Sequence, residues 1–257
     1  MSDPETTPEI PKLLYKYRAP DIDKLRHILI DDELWASNPT DFNDPFDCFP
    51  FIDKRGTYDE AKNWIGVRQG RGAAPVGRNK RRAFAQRIAK DGVAAISEKS
   101  PAELWKESIA GFGVVSFAES CQNILMWSHY AHNHSGVCLE FATAHVPFKG
   151  AGKVVYDVNR PVFRPLDIDR TNLMERILLR KADFWEYEQE WRCIQIKEGP
   201  GKMPFPAAAL TTVILGAAAK HDFVEKLESL ITQRKTPVPI KRVEFDPEFF
   251  KVHLRHG

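Results

Sequence analysis

Residues 185–196 read WEYEQEWRCIQI, and polar and apolar side chains alternate through the second half of this stretch as they do in a β-strand. Residues two apart on a strand face the same side, so Glu188, Glu190 and Arg192 are predicted to share one face. Two carboxylates on an otherwise apolar face are costly to desolvate unless they are paired or used. The stretch therefore predicts either a catalytic glutamate pair or a structural ion network with Arg192, and the spacing favours neither.

Other segments of the chain complete the prediction of an α+β fold. Asp21 or Asp23 can cap a helix that carries Leu25, Ile28 and Leu29 on one face, and a capping box at Ser100–Glu103 opens another helix. Because strands recur without regular βαβ alternation, we expect a mixed, mainly antiparallel sheet core with flanking helices. Strands are predicted at 13–18, 34–37, 113–117, 136–141, 153–156, 212–215 and in a hairpin over 239–254, and helices at 58–69, 79–91, 123–131, 168–181 and 220–232.

Length and composition limit the class of protein. With 257 residues, 43% of them hydrophobic and 28% charged, the chain has the composition of a globular protein. We predict a flexible tail at residues 1–12 and a single domain over 13–257, with a basic helical insertion near 56–100. The start of the chain lacks a signal-peptide profile, and no apolar run approaches the ~20 residues of a membrane span, so a cytoplasmic location is predicted without membrane contact.

Arg18 closes the segment LLYKYR, in which Lys16 and Arg18 share one strand face and Tyr15 and Tyr17 the other. An arginine at a strand end can clamp a phosphate or carboxylate with two hydrogen bonds. A salt bridge to Glu188 or Glu190 is about equally consistent with the sequence. Arg18 is therefore a candidate binding residue with a structural alternative.

The segment Trp127-Ser128-His129-Tyr130, with His132 and His134 after it, resembles a metal site only superficially. Its spacing differs from H-E-x-x-H, and one helix cannot point three imidazoles at one ion. No metal is expected, and we interpret the segment as an aromatic wall with hydrogen-bonding groups. The four cysteines form no C-x-x-C pair, which argues against a zinc ribbon or a thioredoxin-type site. The chain also lacks P-loop, G-x-G-x-x-G and G-x-S-x-G motifs, which argues against a P-loop protein, a Rossmann dehydrogenase and an α/β-hydrolase.

Residues 61–90 contain nine Lys or Arg residues and no Asp or Glu. The whole chain carries a net charge of +2, so the remainder carries about −7. One-sided charge of this kind indicates a surface for nucleic acid or an acidic partner, because a solvated helix face usually mixes signs. The predicted contacts are Arg78, Lys80, Arg81 and Arg82.

Four segments in this order resemble a bacterial family of unknown function that is often met near phage-defence genes. They are LLYKYR, LWASNPTDFNDPFDC, ILMWSHYAHNHSGVCLEF and FWEYEQEWR, and the resemblance spans roughly residues 13–255. The layout of that family is similar to ADP-ribosyltransferase-like folds, which begin with a strand bearing His or Arg and place a catalytic Glu on a late strand. In this chain the first strand has no His, and the Ser-Thr-Ser middle motif is absent.

The resemblance implies an enzyme that uses NAD to modify a protein or nucleic acid, or hydrolyses NAD, as a toxin or defence effector. Glu190 would be the catalytic glutamate, stabilising an oxocarbenium-like ribose, and Glu188 would assist the acceptor. Arg18 would hold NAD at its phosphates or ribose, and Tyr130 or Trp127 would pack the nicotinamide. The rest of the implied NAD site consists of Tyr17, Asn43, Asp44 and Ser128.

Two competing hypotheses belong to other classes. The first is a nucleic-acid-binding or processing protein that acts through residues 61–90. The second is a non-catalytic binding module in which the conspicuous motifs hold the fold together. It is favoured if Glu188 and Glu190 form ion pairs with basic residues inside the protein.

Overall fold

A computed structural model describes residues 8–70, 76–92, 99–166, 173–196 and 198–255. The chain divides into two compact units, of which unit 1 comprises residues 1–38, 112–156 and 183–257, and unit 2 comprises residues 39–111 and 157–182. Residues 1–7 of the expected tail lie outside the described residues, and residues 8–12 lead into the first strand. The expectation that residues 13–257 fold as a single domain stays a prediction.

The described residues form strands and helices that alternate irregularly along the chain. The strands are β1 Leu13–Arg18, β2 Glu33–Ala36, β3 Phe51–Ile52, β4 Gly113–Ala118, β5 Val137–Ala142, β6 Gly152–Lys153, β7 Val155–Asp157, β8 Val162–Phe163, β9 Arg180–Ala182, β10 Glu190–Gln195, β11 Gly201–Pro204, β12 Leu210–Leu215, β13 Ile240–Phe245 and β14 Val252–Leu254. The α-helices are α1 Ile22–Leu29, α2 Tyr58–Gly70, α3 Arg78–Asp91, α4 Pro101–Ile109, α5 Ile124–Tyr130, α6 Leu173–Leu178 and α7 His221–Thr232.

Unit 1 is built on an eight-stranded sheet with the order β14-β13-β12-β5-β1-β4-β10-β6. Its strand pairs are antiparallel except for β12 and β13, which run parallel. Strand β2 pairs with β11 in a separate two-stranded sheet. The expected mixed α+β architecture with a mainly antiparallel sheet is therefore confirmed.

Each face of the large sheet carries its own hydrophobic cluster. One cluster contains Leu14 of β1 together with buried residues of α1, α7 and β2, and we call that side the α1 face. The other contains Tyr17 of β1 and Trp127 of α5, and we call that side the α5 face. Neighbouring residues of β1 therefore belong to different cores, as the alternation of a strand requires.

Local capping fixes the helix starts that the sequence indicates. The Asp21 side chain accepts a hydrogen bond from the Lys24 amide at the start of α1, and Leu25, Ile28 and Leu29 are buried as expected. At α4 the complete capping box forms between Ser100 and Glu103. The helix expected over 168–181 spans only Leu173–Leu178, and residues 167–172 lie outside the described part of the chain.

The strand predicted in the second half of residues 185–196 is confirmed as β10, but the prediction that Glu188 shares the strand face of Glu190 is wrong. Asp183–Glu188 forms a 3₁₀ helix, and Gln189 has a positive φ of 45° that ends this turn before β10. Tyr187 is held in the turn because its carbonyl accepts a hydrogen bond from Asn123 Nδ2, at 2.6 Å. Glu188 therefore does not belong to the strand face of Glu190 and Arg192.

Unit 2 contains the helical pair α2 and α3, and it also contains α4. Buried Ala61, Ala85, Ile88 and Leu166 form its small core. Trp105 of α4 is fully buried, and its indole nitrogen donates to the Cys48 carbonyl oxygen at 3.0 Å. Among the described residues, no helix has both the length and the apolar character that a membrane crossing requires.

Candidate functional site

Glu190 and Arg192 form a closed ion pair on the α5 face. Arg192 Nε lies 2.7 Å from one carboxylate oxygen of Glu190, and Nη2 lies 3.0 Å from the other. Both residues are buried, with exposed fractions of 3% and 1%. A two-point pair without solvent access neutralises the carboxylate, so Glu190 has the geometry of a structural group.

Glu188 lies next to this pair in the 3₁₀ turn and is also buried. The Tyr130 hydroxyl donates to Glu188 Oε1 at 2.6 Å, and the Tyr156 hydroxyl accepts a hydrogen bond from the Glu190 amide at 2.8 Å. Burial, followed by the charge of Glu188, raises the pKa of Tyr130 above its ordinary value. The two glutamates therefore lie close together, as the sequence suggested, but inside the protein.

The other predicted groups of α5 and β1 bond within the same core. Trp127 is fully buried, and its indole nitrogen donates to the Cys121 carbonyl oxygen at 2.7 Å. Tyr17 packs edge-on against Trp127 and donates its hydroxyl hydrogen to the Ser120 carbonyl oxygen. The Ser128 hydroxyl donates to the Ile124 carbonyl oxygen at 2.9 Å, within α5. The contact between Tyr17 and Trp127 joins α5 to the sheet.

The histidine-rich end of this segment forms a turn. His132, Asn133 and His134 all have positive φ angles, and the chain then enters β5 through Gly136. A Cβ atom at Gly136 would lie 2.1 Å from the Arg18 carbonyl oxygen, so the turn requires glycine there. His129 contacts the Tyr187 hydroxyl and His134 contacts the Ser128 hydroxyl, so these imidazoles have separate partners.

Asn43 and Asp44 belong to unit 2. Asp44 accepts a hydrogen bond from the Phe46 amide at 2.8 Å, the local side-chain bonding that a turn-rich loop favours. Asn43 is exposed, and buried Asp47 lies 3.6 Å from Lys181 in an ion pair. The loop therefore makes structural contacts within unit 2.

Arg18 lies on the opposite side of the sheet from the glutamates. Tyr15 and Glu190 are each paired with Ala118 of β4, and residues directly opposite on neighbouring strands point to the same face. Arg18 is three positions from Tyr15, and it shares the α1 face with Leu14. The structure therefore does not bring Arg18 and Glu190 into one pocket.

Arg18 instead lines a cavity of about 430 Å³ between α1 and the β2–β11 pair, all within unit 1. This volume falls in the ordinary range for small-molecule sites, ~300–1,000 Å³. Lys202 lies directly opposite Trp35 in the β2–β11 register, which brings both to one wall of the cavity. The lining residues are Arg18, Lys24, His27, Ile28, Glu33, Leu34, Trp35, Ser37 and Lys202.

The Arg18 guanidinium has no acceptor for its Nε–H, which is shielded from solvent. By contrast, Lys202 lies 2.7 Å from Glu33, and Lys24 lies 3.3 Å from Asp21. Desolvation lowers the pKa of Arg18, and desolvation followed by the charge of Arg18 lowers the pKa of the neighbouring Lys16. The cavity thus combines a half-buried cation, whose Nε–H is unsatisfied, with an excess of positive charge.

One group of possible metal ligands lies at the rim of this cavity. The ligand atoms of His27, Asp31 and Glu33 lie within 4.8 Å of one another. His27 Nδ1 lies 3.0 Å from an Asp31 carboxylate oxygen, and Glu33 forms an ion pair with Lys202. Because Arg18 and two lysines also line the cavity, a cation would meet repulsion there, and we assign no metal to it.

Neither Trp35 nor Lys202 could be selected from sequence patterns alone. Trp35 is 60% exposed, and its place in the cavity wall becomes evident only from the structure. Lys202 reaches the site through the β2–β11 pairing, which local patterns do not reveal.

Comparison with known proteins shows a family similarity over part of the chain. Neither the curated proteins nor the solved structures contain a match. A family model described as "Protein of unknown function (DUF2971)" matches residues 126–193. The match includes most of α5, the β5 strand and the Glu188–Arg192 segment, but neither Arg18 nor α3. Over residues 126–193 the chain is thus similar to a family of unknown function, DUF2971.

Proposed function

We propose that this protein is a binding module for a small anionic ligand, which it holds in the Arg18 cavity. The observation that carries the proposal is the buried guanidinium nitrogen of Arg18 that lacks an acceptor beside a cavity of about 430 Å³. An unsatisfied buried polar group costs free energy, and an anion that accepts its hydrogen bond would recover that cost.

The lining also indicates the class of ligand. Arg18, Lys24 and Lys202 suit a phosphate, whereas Trp35, Ile28 and Leu34 provide an apolar and aromatic wall. A molecule with a phosphate at one end and a planar ring at the other satisfies both parts. We therefore propose a nucleotide, and NAD, whose phosphates the sequence resemblance assigned to Arg18, is one of the ligands to test.

Calorimetric titration with adenosine, AMP, NAD and inorganic phosphate tests this proposal. AMP is expected to bind at least about tenfold more tightly than adenosine, because a hydrogen bond to a charged group contributes ~1.5–3 kcal/mol. AMP should also bind more tightly than inorganic phosphate, which lacks a ring for Trp35. Equal affinity for adenosine and AMP, or no binding of any compound, would contradict the proposed ligand class.

An NAD-dependent ADP-ribosyltransferase is the second candidate. It is supported by the proximity of Glu188 and Glu190, whose charges both act on Tyr130 and Tyr156. It ranks second because Arg192 occupies both oxygens of Glu190, and because the sheet separates these glutamates from Arg18.

Release of nicotinamide from NAD, measured with and without a cell extract, tests the second candidate. A transferase would release nicotinamide, and Glu190→Gln would slow that release by on the order of a hundredfold, the usual loss for a preorganised electrostatic group. If the protein is a binding module, the native protein releases none. If the native protein and Glu190→Gln released nicotinamide at the same rate, Glu190 would have no part in the reaction.

A further inference from the structure

Helix α3 of unit 2 has a cationic outer surface. Arg78, Lys80, Arg82, Arg87 and Lys90 are exposed, and among the described residues none of these five side chains forms an ion pair. Between residues 78 and 90 the helix contains no acidic residue. Ordinary solvated helices mix charges of both signs, so this surface carries repulsion that a polyanion would relieve.

The inner side of the same helix is firmly anchored. Ala85 and Ile88 are buried in the core of unit 2, and Phe84 stacks on Trp64 with ring centroids 6.1 Å apart. At 100° per residue, these positions leave a broad arc of the helix free for the basic side chains. The surface is therefore rigidly presented and is not needed for the core.

The charge is spread along the helix rather than gathered at one point. Fourteen residues extend about 21 Å, a length over which duplex DNA carries phosphates on both strands. Asn79 and Gln86 are exposed between the basic residues and offer amide groups that can bond phosphates or base edges. The large apolar residues of the helix, Phe84 and Ile88, pack in the core of unit 2, which disfavours membrane insertion.

We infer that the outer surface of α3 binds double-stranded DNA, mainly through backbone phosphates. This inference is independent of the Arg18 cavity, because the two sites belong to different units and require different ligands. It commits to a duplex because the helix exposes no aromatic side chain on which unpaired bases could stack.

Fluorescence anisotropy with a labelled 30-base-pair duplex of mixed sequence tests this inference. If five phosphates are contacted, the logarithm of the association constant should fall with the logarithm of salt concentration with a slope of about −4.5. The variant Arg78→Gln/Arg82→Gln/Arg87→Gln should bind on the order of a hundredfold more weakly at 0.1 M salt, with a slope smaller by about 2.7. Its melting temperature should stay close to that of the parent, because exposed substitutions change stability little.

A matched variant distinguishes the effect of the α3 charges on DNA affinity from the effect of the net charge of the protein. Lys226→Gln/Lys235→Gln/Lys241→Gln removes three exposed charges from unit 1, and it should bind DNA within about threefold of the parent because none of these lysines belongs to α3. Should the triple α3 variant fold poorly, the single changes at Arg82 and Arg87 supply the same comparison. No binding by the parent at low salt, equal loss in both triple variants, or equally tight binding to polyglutamate would overturn the inference.

Discussion

Glu190→Gln is expected to lower the free energy of unfolding by about 3 kcal/mol. The substitution removes the carboxylate that Arg192 contacts at two points, and breaking a buried pair from one side costs ~3–5 kcal/mol. Glutamine keeps the shape and one acceptor oxygen, so we place the cost at the lower end of that range. Urea unfolding of the purified variant measures the loss, and nucleotide affinity should stay unchanged because Arg18 lies on the other face of the sheet.

Two further variants test whether the loss of stability comes from the buried ion pair. Glu225→Gln removes an exposed carboxylate from α7 and should change stability by less than about 0.5 kcal/mol. Adding Arg192→Met to Glu190→Gln removes the guanidinium charge as well and should recover part of the lost stability, since removing one partner of a buried pair costs more than replacing both. A Glu190→Gln protein that is as stable as its parent but has lost an NAD-dependent activity would establish the glutamate as catalytic.

The sequence could predict much of the fold because local signals determine it. Strand β1 has the predicted bounds, the capping box at Ser100 forms, and α1 buries the predicted apolar face. These features depend on residues a few positions apart. The 3₁₀ turn before β10 was missed because it depends on a left-handed residue, Gln189, for which a sequence of alternating polarity gives no sign.

The site was harder to predict because its membership depends on strand register. Alternation correctly placed Lys16 and Arg18 on one face of β1, opposite to Tyr17. It could not predict that Arg18 and Glu190 lie on opposite faces of the sheet, since their relative position depends on the register of β4 with both β1 and β10. Conspicuous motifs around Trp127 and Glu190 proved to consist of groups that satisfy one another in the core.

Arg18→Met is expected to abolish nucleotide binding without harm to the fold. Methionine keeps an apolar stem of similar reach but removes the buried Nε–H that has no acceptor, so the free energy of unfolding should be unchanged or higher. Loss of a buried charged partner costs a ligand ~2–5 kcal/mol, or roughly 30-fold to 5,000-fold in affinity. The nucleotide affinity of Arg18→Lys should lie between those of the parent and Arg18→Met, because lysine keeps the charge but lacks the planar guanidinium group.

The most direct test is a paired measurement of AMP affinity and melting temperature for the parent, Arg18→Met and Arg26→Gln. Arg26 is exposed on α1 outside the Arg18 cavity, so its loss controls for one positive charge on the same unit. The account predicts that only Arg18→Met loses AMP binding, while its melting temperature equals or exceeds that of the parent. If Arg18→Met instead melts several degrees lower and still binds AMP like the parent, Arg18 is a structural residue and the cavity is not the ligand site.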